Sequence, residues 1–149
     1  MFRVITLFLL SIFAAYASAE SIKCGDSEVS ITDSVLLSEP FFTLKISNKN
    51  LNKSFQFSVE KDYINLRCES KSDGKLVVVI LHYCGGSGCN DLGNFGIVEL
   101  ESGNVLLEPD QPFKGNAKKA NTIMGKEIKP FSWKPNSGEI CIHTQLQLG

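Results

Sequence analysis

The sequence predicts a mainly β domain: an antiparallel, curved sheet, barrel-like or folded as a sandwich, with one short α-helix. Three observations carry this. Apolar residues alternate with polar ones through most of 27–70. One stretch, 77–81 (VVVIL), is apolar and largely β-branched without alternation. Only one window, after Asn116, has helical periodicity. The chain has 149 residues, 43% hydrophobic and 21% charged, an ordinary globular composition and the length of one domain.

Residues 1–19 stand apart from that domain. Arg3 gives a short basic start, 4–15 an apolar run, and Ala17-Ser18-Ala19 a small-residue cleavage pattern, together a secretory signal peptide. The run is shorter than the roughly 20 residues a membrane-spanning helix needs. Ser21-Ile22-Lys23 before Cys24 is no lipoprotein site, so the expectation is a soluble exported chain, residues 20–149. Cleavage would remove Arg3 and leave 14 basic against 16 acidic residues, a net charge of −2. That balance gives no reason to expect nucleic acid or an anionic membrane as partner.

Val29 and Ile31 begin a short strand. Pro40 is expected to break the chain before the strand 41–47, where Phe42, Leu44 and Ile46 share a face. Asn48-Lys49-Asn50 is turn chemistry. Phe55, Phe57 and Val59 alternate in the next strand, and Ile64, Leu66 and Cys68 mark another. Lys71-Ser72-Asp73-Gly74 is a tight turn into 77–81, whose lack of alternation predicts a central strand covered on both faces. Strand 95–100 should pair antiparallel with it, and Ser102-Gly103-Asn104 turns the chain back through Val105, Leu106 and Leu107. Pro109 and Pro112 end regular pairing.

Asn116 has the chemistry of a helix N-cap. Ala117, Ala120, Ile123 and Met124 follow on one face, with Gly125 past the end. Lys118, Lys119, Lys126 and Lys129 form its solvated side and exit. Phe131 and Trp133 straddle Ser132 in a short extended segment. A last strand, 139–148, sets Ile140, Ile142, Leu146 and Leu148 on one face and Cys141 and His143 on the other.

The five cysteines (Cys24, Cys68, Cys84, Cys89, Cys141) all fall after the signal peptide, where disulfides persist. Cys84 and Cys89 are the closest pair, with three glycines among the four intervening residues, and are expected to form a bridge. A second bridge should use two of Cys24, Cys68 and Cys141; spacing does not choose which. Five is odd, so one cysteine should be a free thiol or pair outside the chain.

Several chemistries compete for these residues. His82, Cys84, Cys89 and His143 have the donor types of a zinc site, but thiols so close in an oxidising compartment form a disulfide instead, so neither metal nor cofactor is expected. His82 and Cys84 share a strand face, as a Cys–His hydrolase would require, but His82 sits with Val78 and Ile80, where a buried structural histidine is the simpler expectation. Ser87 has no base at useful spacing and no helix behind it, so it is no nucleophile elbow. Gly85-Gly86-Ser87-Gly88 is then either a plain turn or a thin tip carrying one hydroxyl on a stiff strand. A disulfide across its base would lower the ordering cost of inserting it into a cleft.

At this loop the chain resembles a known family. His82-Tyr83-Cys84-Gly85-Gly86-Ser87-Gly88-Cys89, the signal peptide, the β-rich chain, and the later segments GNAKKA at 115–120 and KPFS at 129–132 are similar to periplasmic immunity proteins against type VI secreted peptidoglycan amidases. The resemblance implies a non-enzyme that plugs the groove of a Cys–His amidase. It implies that the inserted loop Gly85-Gly86-Ser87-Gly88 brings Ser87 to hydrogen-bond the catalytic cysteine and histidine, with Gly86 and Gly88 allowing close backbone approach and Asn90 and Asp91 at the rim. A periplasmic lysozyme inhibitor is the alternative partner class, and a secreted thiol- or metal-dependent enzyme a third reading.

Overall fold

The alternation becomes two antiparallel sheets laid face to face. The computed structural model describes residues 20–36, 39–58, 63–83, 93–109, 115–129, 131 and 139–143. The first sheet contains β1 (Glu20–Cys24), β2 (Ser27–Leu36), β3 (Glu39–Ser47) and β4 (Asn52–Ser58), in that order. The second contains β5 (Tyr63–Ser70), β6 (Leu76–Tyr83), β7 (Phe95–Glu99), β8 (Val105–Leu107) and β9 (Glu139–His143), in the order β8-β7-β6-β5-β9.

Period-two patterning decides what lies between the sheets. Val29, Ile31, Phe42, Leu44, Ile46 and Phe57 from the first meet Ile64, Leu66, Val78, Ile80 and Val98 from the second in one buried cluster. Each such side chain contributes about 1.5–3 kcal/mol on leaving water. The architecture is therefore a sandwich, with β1 lying against β9 along one margin.

The second sheet is covered on its outer face as well. Val77, Val79, Phe95, Ile97 and Leu107 pack beneath Ala120 and Met124 of α1 (Ala117–Met124) and beneath Ile128. This is why 77–81 carries no polar alternation: Val78 and Ile80 enter one core while Val77 and Val79 enter the other. Gly125 ends the helix in the left-handed region, φ 68°, with its N–H on Thr122 O. The Ser72 N–H donates to Met124 O at 2.8 Å, so the β5–β6 turn satisfies a carbonyl the last helical turn leaves open.

The short turns collect at one end. Gly25 packs against Leu76, the Lys53 ammonium donates to Ser102 O at 2.9 Å, and Asn48 Oδ1 accepts the N–H groups of Asn50 and Leu51. Strand direction puts Leu36, Glu39, Ser58, Tyr63, Tyr83 and Phe95 at the opposite end.

Four expectations need correction. Pro40 does not break the chain; it is the second residue of β3, paired with Val35 beside the hairpin connection, where a strand tolerates proline. The strand begun by Val29 and Ile31 is not short but ten residues, because β3 supplies a ladder along the polar stretch too. β1 was not expected, since only Ile22 and Cys24 in it are apolar. Asn116 occupies the N-cap position, but its side chain makes no cap bond. Of the last predicted strand, Glu139–His143 is β9, and 144–149 lie outside the described residues.

Candidate partner-binding loop and its root

Cys84, Gly85, Gly86, Ser87, Gly88, Cys89, Asn90 and Asp91 lie outside the described residues, as do Pro112 and Trp133. The mount that carries this segment is described. β6 is the middle strand of five, so both its edges are hydrogen-bonded and both its faces packed.

At the root, the His82 N–H donates to Asn94 O at 2.9 Å, adding one rung to the β6–β7 ladder. The side chains of the same two residues meet, Asn94 Nδ2 to His82 Nδ1 at 3.1 Å, and both are buried. With the amide as donor, Nδ1 accepts and the ring proton resides on Nε2. His82 is thus a buried, hydrogen-bonded histidine on the Val78–Ile80 face. Asn94 was not singled out by sequence; its signal is an amide side chain immediately before a strand.

The far stem is tied a second time. β8 pairs with β7 only as far as Ile97↔Leu107, so among the described residues Phe95 has no strand partner on that side. Asn116 takes the vacant ladder position: its Oδ1 accepts the Phe95 N–H at 2.7 Å and its Nδ2 donates to Phe95 O at 2.8 Å. Its own N–H donates to Gly93 O at 2.8 Å. Gly93 has φ 70°, and a Cβ there would stand 2.6 Å from the Phe95 ring, so glycine is required where the segment re-enters the sheet. Helix and strand are locked together at the segment's exit by one asparagine.

Two ion pairs stand at the opposite end. Lys75 and Glu99 pair at 3.0 Å and Lys71 and Asp73 at 3.0 Å. The Ser102 hydroxyl and the Lys75 ammonium hold the Glu99 carboxyl below its ordinary value; Glu99 in turn raises Lys75. Lys71, then the Lys75 N–H, lower Asp73. On the helix side, the Arg67 guanidinium lies 4.1 Å from the Phe131 ring centroid, donates to Lys129 O at 2.7 Å and pairs with Glu69. This pins the chain just before 132. Lys118, Lys119, Lys126 and Lys129 are exposed, and Lys126 also reaches Glu69 at 3.5 Å.

Cys24 and Cys68 form a disulfide, two of the three expected candidates, and staple β1 of one sheet to β5 of the other. Register places His143 in the Tyr63–Tyr83 row, next to and not within the Ile64–His82 row. Among the described residues no three of His, Cys, Asp and Glu come together as a metal site, and no helix is long and apolar enough to cross a membrane.

No protein-family model, curated protein or solved structure matches this chain.

Proposed function

We propose that this chain is an exported, periplasmic immunity protein that binds a secreted Cys–His peptidoglycan amidase and blocks its substrate groove with the segment 85–88. The protein itself is not an enzyme in this reading. Ser87 supplies the hydroxyl that meets the catalytic pair, and Asn90 and Asp91 form the rim. The observation that supports it is the root. A glycine-rich segment follows the middle strand of the second sheet, and the residues on either side of it are joined by the His82–Asn94 pair and anchored again by Asn116. Flanking residues fixed in advance need no ordering when the segment enters a cleft, which lowers the cost of binding.

The test measures inhibition of a purified Cys–His peptidoglycan amidase, in parallel with a lysozyme, by the wild-type protein and by Ser87→Arg. Wild type should inhibit the amidase and leave lysozyme active. Ser87→Arg should weaken amidase binding by about 30-fold or more, as expected for disrupting a central contact, with its circular dichroism unchanged. Undiminished inhibition by a folded Ser87→Arg protein would overturn the plug, and inhibition of lysozyme alone would overturn the amidase.

A further inference from the structure

Among the described residues the sandwich has four edge strands, and three carry features that discourage a further strand from adding. β8 has three residues, a register shift at Ile97/Val98 and Pro109 two residues past its end. β9 and β1 lie against each other; β1 also carries exposed Lys23 and is cross-linked through Cys24.

β4 is seven residues long and has neither a register shift nor a cross-link. It pairs with β3 residue for residue from Asn52 to Ser58 without a bulge. Ser54, Phe55, Gln56, Phe57 and Ser58 contain neither charge nor proline. Its one charged residue, Lys53, turns away to Ser102 O. Phe57 is buried, while Phe55 is half-buried at the margin of the core. Among the described residues no strand pairs with the outer edge of β4. An edge in unbroken register and without charge over 54–58 is a template for another strand.

We infer that this edge pairs with the same strand of a second copy of this chain. Antiparallel pairing about a two-fold axis through Phe55 sets Ser54 opposite Gln56 of the second copy, and Lys53 opposite Phe57. All partners then share pleat parity, so inner residues stay inside and outer ones outside. The two first sheets merge into one of eight strands, and the paired Phe55 rings cover each other's exposed part. No like charges face across the axis, and the contact is isologous and closed. Its small area makes it a weak dimer, populated at high concentration.

Sedimentation of the purified protein over a concentration series tests this, with two charge variants. Ser54→Glu/Gln56→Glu suits the monomer, because Ser54 faces Lys45 on β3, but it sets carboxylate against carboxylate twice across the axis. The expected result is a wild-type dimer whose dissociation constant rises about tenfold or more in that variant, with unchanged circular dichroism. Ser54→Lys/Gln56→Lys should dissociate likewise, and an equimolar mixture of the two variants should restore dimers. A wild-type protein still monomeric at about 0.5 mM, enough to populate a dimer with a dissociation constant of about 0.2 mM, would overturn the inference. So would a dimer indifferent to these substitutions, or a mixture that fails to reassociate.

Discussion

Replacing Cys24 and Cys68 together by alanine removes the covalent tie between the two sheets while leaving every strand its hydrogen-bonding partners. The bridge closes a sequence separation of 44. Treated as a constraint on the unfolded chain, a loop of that length is worth about 4 kcal/mol at 25 °C. Against a total of about 5–15 kcal/mol for a domain, this is a large share. With an unfolding entropy of about 2.1 cal/mol/K per residue over about 130 residues, it corresponds to a fall in Tm of about 15 °C. The assay is urea unfolding of the wild-type and double-alanine proteins without reductant. Its midpoint should fall and its slope against urea should rise, because the unlinked chain exposes more surface when unfolded. A loss below about 1 kcal/mol with an unchanged slope would refute the reasoning, since neither the lost constraint nor the more expanded unfolded state would then be visible.

Asn116→Ala removes both side-chain bonds to Phe95 and should cost about 1–3 kcal/mol in urea unfolding, from two part-buried hydrogen bonds and the backbone groups they leave unpaired. Gly125→Ala forces a left-handed residue and drives its Cβ against the Ser72 hydroxyl; the strain alone should cost about 1–2 kcal/mol, and adding Ser72→Gly should recover only the part owed to the clash. Glu99 has a folded pKa below its unfolded value, so the stability it contributes is present above the unfolded carboxylate value of about 4.3 and is lost as pH falls through the lowered folded value. Between pH 7 and pH 2 the urea midpoint of wild type should therefore fall more steeply than that of Glu99→Gln.

The fold was largely legible because its signals are local. The apolar run 77–81, the turns at 48–50 and 71–74, the hairpin 95–107 and the helix after Asn116 each carry their own chemistry, and each is where composition puts it. What escaped depends on distant partners. β1 has two apolar residues and becomes a strand only because β2 pairs with it through all five positions. The cysteine pairing follows from β1 of one sheet meeting β5 of the other, which no spacing encodes. Asn116 reads as a cap from its neighbours in sequence, yet Phe95, 21 residues away, has open backbone groups that bind its amide instead. At the candidate site, His82 was legible as a buried residue from strand parity. Asn94 was not, because its role exists only once the two stems stand side by side.

The gathering of the short turns at one pole has a practical consequence. Asn104, exposed in the β7–β8 turn, and Lys49, exposed in the β3–β4 turn, lie at the pole away from Tyr83 and Gly93. A tether or fluorophore placed there holds the molecule by its closed pole and leaves the other free in solution. Such an attachment makes surface-based binding measurements possible without obstructing the segment whose action is in question.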